Sequence, residues 1–196
     1  MNAPPEEVRL FVAVELPPPV TAALGELQAE LRRRGLSALR WVRPEGIHLT
    51  LKFLGEVPAR QVTSVLDALA SAVQGIGPHD LSLGRLGTFG GRSPRVLWIA
   101  LEGGVETLGR LQEQVEQRLV ALGFPPEERA FSPHLTLARV RPENAREVAR
   151  PLAAAVPAVN APPAEIPVRG VSLMRSQLKP GGAVYTRLEA FPLTLQ

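Results

Sequence analysis

The tetrapeptide His-Leu-Thr-Leu occurs twice in this chain, at 48–51 and again at 134–137, 86 residues later. Polar and apolar side chains alternate in both copies. That is the period of a β-strand, where residues i and i+2 share a face. His48 then points with Thr50, and His134 with Thr136. Leu49, Leu51, Leu135 and Leu137 point the other way, into a core. Each copy offers an imidazole and a hydroxyl side by side, held by a buried opposite face.

The surroundings repeat at the same offset. Arg9 to Leu16 reads as a strand, and so does Arg95 to Leu101; Arg9 and Arg95 each stand 39 positions before their histidine. Between strand and motif, each half carries an amphipathic helix. Val20, Leu24, Leu27 and Leu31 form the apolar stripe of the first. Leu108, Leu111, Val115, Leu119 and Leu122 form that of the second, which ends at Gly123, a natural C-terminal cap. A further helix follows each motif, one over about 59–73 and the other starting near Glu143. The chain reads as a duplicated unit of strand, helix, histidine strand and helix. A pseudo-twofold arrangement would bring the two histidine strands together at its centre.

Composition bounds the rest. With 196 residues, 45% hydrophobic and 21% charged, the chain is expected to form one domain over 1–196, or two small lobes sharing a cleft. No apolar run is long enough to span a bilayer and no signal-peptide pattern opens the chain, so a cytoplasmic protein without a membrane partner is expected. There is no cysteine, which excludes disulfides, thiolate nucleophiles and cysteine-bound zinc. Arginine supplies 20 of the 22 basic residues. It stays charged and grips phosphate bidentately, so the net charge of +3 permits an anionic partner. Ala154 to Pro163 reads as a loop, and Ile166 to Arg175 and Ala183 to Phe191 read as a hairpin turning at Lys179–Gly182. The glycine-rich stretch Thr88 to Pro94 reads as a turn. No P-loop, G-x-G-x-x-G, G-x-S-x-G or H-E-x-x-H is present.

Two His-x-Thr pairs support a limited chemistry. Zinc needs three or four ligands, and no carboxylate lies at motif spacing. Ser132 shares the parity of His134, but no elbow motif accompanies it. General acid–base catalysis on a phosphodiester fits better. One neutral imidazole takes a proton from the attacking oxygen, and the other, as imidazolium, gives one to the leaving oxygen. The threonine hydroxyls would hold the phosphoryl oxygens where charge builds. No nucleophilic side chain, metal or cofactor is then required. A single His-Leu-Thr-Leu would be an ordinary core strand. Two copies at matching places in a repeat that has diverged elsewhere point to shared work.

The two motifs, with the stretches around them, resemble the two-histidine (2H) phosphoesterase superfamily, in its LigT-like branch of RNA 2′,3′-cyclic phosphodiesterases, also called 2′-5′ RNA ligases. The stretches are Arg9–Pro17, Gly46–Val57, Phe131–Arg139, Arg175–Leu178 and Gly182–Tyr185, almost the whole chain in the family's order. The resemblance implies an α+β fold with a pseudo-twofold pair of lobes, each an antiparallel sheet backed by helices, around a central cleft. It implies metal-independent hydrolysis of a terminal 2′,3′-cyclic phosphate to a 2′-phosphate, with His48 and His134 catalytic and Thr50 and Thr136 on the phosphate. The same site would also join RNA ends through a 2′-5′ bond. The partner is then an RNA end, tRNA included, met by a monomer. The resemblance implies His48 beside O3′ as the acid and His134 beside the water as the base, and the pseudo-twofold symmetry leaves the opposite assignment open. Other readings stay open: a non-catalytic RNA-end binder, or a phosphodiesterase for small cyclic nucleotides or 2′-5′ oligonucleotides.

Some neighbours are ambiguous. The resemblance places Phe53 on the terminal base and Arg139 near the phosphate. Strict alternation puts both on the core face. An unpaired arginine is not tolerated there, so Arg139 is expected at a strand end or beyond a bulge, from which it reaches the cleft. Phe53 is expected in the core. Lys52 shares the parity of His48 and reads as a cleft-edge phosphate contact or a solvated strand end. His79 reads as a loop residue without a role, and Arg175 and Tyr185 receive no task.

Overall fold

The computed structural model describes residues 7–180 and 182–195. The helices form where the apolar stripes require them. α1 (Pro18–Leu31) starts on prolines, whose missing N–H costs nothing in a first turn, and buries Val20, Leu24, Leu27 and Leu31. α2 (Val62–Ala72) buries Val65, Leu69 and Ala72. α3 (Val105–Ala121) buries Leu108, Leu111, Val115 and Leu119. It stops before Gly123, whose φ of 93° suits glycine alone at little cost. α4 (Ala145–Ala158) buries Ala145, Val148, Leu152 and Ala155.

The strands are β1 (Glu7–Glu15), β2 (Arg40–Trp41), β3 (His48–Pro58), β4 (His79–Phe89), β5 (Val96–Gly103), β6 (His134–Arg139), β7 (Glu165–Val168), β8 (Gly170–Lys179) and β9 (Gly182–Pro192). Their order is β7-β4-β5-β6-β3-β1-β8-β9, with β2 on β6. The α+β fold is therefore two four-stranded antiparallel halves. They are not separate sheets: one residue pair, Leu49 opposite Leu135, joins β3 to β6 at the centre. All four helices pack on one face. Their stripes share one core with Leu10, Val12, Val14, Leu49, Leu51, Leu97, Ile99, Leu135 and Leu137. Leu49 and Leu135 are fully buried, and truncating either to alanine would cost about 2–5 kcal/mol. The opposite face is open except for a small cluster of Phe11, Ala13 and Met174 against Tyr185.

Several sequence expectations change here. β4 was not foreseen; its alternation is interrupted by glycines and by an irregularity between Leu83 and Leu86. The segment expected as a loop from Ala154 is helical to Ala158, because alanine favours helix and Ala155 packs inward. The single strand expected over 166–175 is two. β7 pairs with β4, whereas β8 pairs with β1, so the chain changes halves at Arg169. The halves are thus interleaved in sequence, the last hairpin returning to the first histidine strand's side. The turn at Lys179–Gly182 includes Gly181, which lies outside the described residues. The equal spacing of Arg9 and Arg95 does not survive in register. Ala13 pairs with Thr50, but Trp98 pairs with Thr136, a difference of one residue between the copies.

Candidate active site

Antiparallel pairing about Leu49 and Leu135 sets His48 across from Thr136 and Thr50 across from His134. The leucines face the helices, so the four polar side chains share the open face. Directly opposed residues have Cβ atoms about 5 Å apart, and the two histidines are diagonal neighbours at roughly 7–8 Å or less. That spacing admits one tetrahedral anion between the rings.

Each histidine is oriented by the same device. Nδ1 of His48 lies 2.8 Å from the Gly46 carbonyl, and Nδ1 of His134 lies 2.7 Å from the Ser132 carbonyl. A carbonyl only accepts, so Nδ1 is the protonated nitrogen in both rings. Nε2 is left free for chemistry. Ser132 therefore contributes its backbone, not its hydroxyl. Aromatic rings flank both imidazoles. Phe11 is 4.7 Å and Tyr185 5.0 Å from His48 between ring centroids; Phe89 is 5.0 Å and Trp98 6.2 Å from His134.

Burial holds the His48 imidazolium below the usual histidine range. The bond to Gly46 opposes this, the Arg139 cation reinforces it, and the Glu15 carboxylate opposes it. Glu15 pairs with His48 across β1 and β3 and is held by the Ser172 hydroxyl at 2.6 Å and by Arg187 at 3.1 Å. In the unliganded cleft His48 is consequently neutral at neutral pH. The acid role expected of it then needs a bound anion to draw the proton back.

The residues after the motifs overturn strict alternation. Val12 pairs with Lys52 and Ala13 with Thr50, leaving Leu51 as a bulge; Leu97 pairs with Ala138 and Trp98 with Thr136, leaving Leu137 as the same bulge. An extra residue reverses the facing of those that follow it, on β3 as far as a second such shift at Leu54. Phe53, expected in the core, is 64% exposed and lies 6.0 Å from Phe11 on the histidine face. Arg139 is exposed beyond its bulge and acts on His48 through space, as its burial cost required. Lys52, expected on the cleft side or in solvent, is turned to the helix side and buried. Its Nζ lies 2.8 Å from Glu116 and 2.9 Å from the Pro125 carbonyl. His79 is not a loop residue but the first of β4, with Nδ1 on the Gly77 carbonyl and a buried Nε2 that has no hydrogen-bond partner. Arg175 lies at the β1–β8 edge, opposite Leu10, away from the histidines. Sequence reading missed Glu15, the Phe11, Phe89 and Trp98 rings, and the Tyr185 contact. Each reaches the motifs only through strand pairing.

The LigT-like phosphoesterase family matches this chain twice in succession, over residues 14–98 and 99–185. The chain belongs to that family. Among its relatives, an RNA 2′,3′-cyclic phosphodiesterase of Thermus thermophilus is 36% identical over 196 residues, covering 95% of this chain and 90% of that protein. One from Methanothermobacter thermautotrophicus is 32% identical over 188 residues, covering 95% and 100%. The crystal structure of E. coli LigT complexed with 3′-AMP superposes with a TM-score of 0.77 at 28% identity, covering 96% of this chain and 99% of that one. The consecutive matches fall one on each histidine motif. Among the described residues, no three histidine, aspartate or glutamate side chains cluster as metal ligands, and no helix is long and apolar enough to cross a membrane.

Proposed function

We propose that the chain is an RNA 2′,3′-cyclic phosphodiesterase that opens a terminal cyclic phosphate to a 2′-phosphate by acid–base catalysis with His48 and His134. One observation carries the reading. Two histidines share one sheet face with two threonines, each with Nδ1 tied to a carbonyl and Nε2 free. A nucleophilic or metal-based scheme would leave that matched pair unexplained. The names of the relatives support the same activity.

The cyclic phosphate sits between the rings. One neutral Nε2 takes a proton from water as its oxygen attacks phosphorus. The P–O3′ bond breaks, and the other Nε2–H protonates O3′, giving a 3′-hydroxyl and a 2′-phosphate. Thr50 and Thr136 donate to the non-bridging oxygens. Water is consumed and the two rings exchange protonation states. If a 5′-hydroxyl replaces water, the product is a 2′-5′ linkage. His48 is the acid in this scheme. The phosphate's negative charge offsets its burial and raises its affinity for the proton on binding. Phe53 carries the terminal base, and Arg139 neutralises the phosphate. The chain acts as a cytoplasmic monomer.

The test is incubation, with chelator, of an RNA ending in 2′,3′-cyclic phosphate, followed by identification of the product. A 2′-phosphate end is expected. A 3′-phosphate end, or tight binding without turnover, would refute the reading; the second result would mark a non-catalytic binder.

A further inference from the structure

Arg139 is the last residue of β6 and has a neighbour on each side. Its Cα partner on β5 is Val96, and on β2 it is Arg40. Paired residues point to the same face, so Arg40 and Arg139 project together from the open side of the sheet. Both are exposed. Like charges directly opposed on a sheet destabilise it unless an anion lies between them. Neither arginine has one in the protein: the ion pairs among the described residues involve Arg9, Arg34, Lys52, Arg169 and Arg187, and none reaches Arg40 or Arg139. Two strand ends thus present an unneutralised pair of guanidinium forks beside the phosphate pocket.

We propose that Arg40, set beside Arg139, provides a second anion subsite, which holds the backbone phosphate adjoining the terminal nucleotide of the RNA while Arg139 serves the cyclic phosphate. The proposal rests on the cyclic phosphodiesterase reading and names its substrate as a chain instead of a mononucleotide. Arg139 follows Thr136 on the open face by about two pleat steps, on the order of 7 Å. It borders the pocket that holds the cyclic phosphate. Arg40 stands opposite it on β2, beyond the end of the histidine pairs, and is placed to meet the next phosphate. Guanidinium suits this task, since it remains charged and binds two phosphate oxygens at once.

The experiment compares a 2′,3′-cyclic mononucleotide with a dinucleotide ending in the same cyclic phosphate. The dinucleotide should be favoured roughly tenfold in kcat/KM, the scale of one charge-assisted contact. Arg40→Gln should abolish most of that preference and reduce the salt slope for the dinucleotide by about 0.7, one phosphate contact to a single strand. Arg40→Lys should restore part of it. Arg118→Gln, on an exposed position of α3, removes the same charge and should keep the preference. A dinucleotide with an uncharged methylphosphonate linkage should behave like the mononucleotide. Equal kcat/KM for both substrates in the unmodified protein, or equal losses on both in Arg40→Gln, would overturn the subsite while leaving the activity standing. Equilibrium binding of the two 2′-phosphate products reads the same preference without turnover. A protein that hydrolyses neither substrate but binds the dinucleotide product more tightly through Arg40 would refute the activity and keep the subsite.

Discussion

Lys52→Met separates two roles for a lysine only four residues from His48. The Lys52 side chain is 2% exposed, and its Nζ bonds Glu116, whose side chain is 19% exposed, at 2.8 Å. Its second bond holds the Pro125 carbonyl at 2.9 Å, tying β3 to the loop after α3. Methionine fills a similar volume but abandons both acceptors. Breaking a buried pair by removing one partner costs about 3–5 kcal/mol, because the other charge is stranded. Glu116 keeps some water and the Glu127 N–H at 2.8 Å, so the low end, about 3 kcal/mol, applies. In a chain of this size that lowers Tm by roughly 6–12 °C. Thermal unfolding followed by circular dichroism measures it, and kinetics well below Tm should show KM little changed. Adding Glu116→Leu should recover part of the loss, since no lone carboxylate then remains. If instead Tm moved by less than about 2 °C while KM rose many-fold, Lys52 would be a phosphate contact and the bulge argument would be wrong.

Other consequences concern the site. His48→Ala or His134→Ala should remove most activity, and the double variant should cost little more, since the rings act as one unit; single-turnover rates check it. Thr50→Val or Thr136→Val should slow kcat about 10²-fold, the loss expected for one transition-state hydrogen bond. Phe53→Ala should change stability by less than about 0.5 kcal/mol, because the ring is 64% exposed. It should raise KM instead, by an amount set by base stacking of about 1–3 kcal/mol. Burial lowers the His48 pKa from 6.5 in the free protein. With His48 as the acid, kcat/KM should fall as pH rises through that lowered value. The corresponding limb of kcat should lie at higher pH, because the bound phosphate favours the imidazolium. Phosphate binding should accordingly take up a proton, visible as buffer-dependent heats in calorimetry; coincident limbs and no proton uptake would refute the coupling.

The facing of His48, Thr50, His134 and Thr136 was legible because period-2 alternation is local and the leucines enforce it. The four main helices were legible for the same reason, with their stripes at helical spacing. What alternation could not show is where it stops. The bulges at Leu51 and Leu137 leave no composition signal, since both are leucines that are buried either way. They reverse Lys52, Phe53 and Arg139 together. Only the cost of burying an unpaired arginine hinted at one of them, and for phenylalanine the same reasoning gave the wrong side. Pairing between distant strands was also hidden. Nothing in Glu15, Arg40 or Tyr185 taken alone announces a neighbour on the histidine face, and the return of β8 to β1 depends on a break at Arg169 that the run of strand-forming residues conceals.

The repeated bulge also explains how a near-symmetric framework can serve an unsymmetric substrate. β3 and β6 run antiparallel, so the residues released by the two bulges emerge at opposite ends of the cleft. One is Phe53, joined by Phe11; the other is Arg139, joined by Arg40. The same backbone device, applied to two different side chains, gives the cleft an aromatic end and a cationic end around a matched pair of histidines. An RNA terminus has the same polarity, with an apolar base face and a charged backbone on either side of its ribose and cyclic phosphate. Exchanging the two residues, Phe53→Arg with Arg139→Phe, therefore cancels the polarity, since Phe11 and Arg40 stay in place, while keeping the charge count and both bulges. If polarity sets the direction of binding, the exchanged protein should stay folded, lose most kcat/KM on the dinucleotide, and lose less on inorganic phosphate affinity. Retention of full activity would mean that the histidine pairs alone orient the substrate.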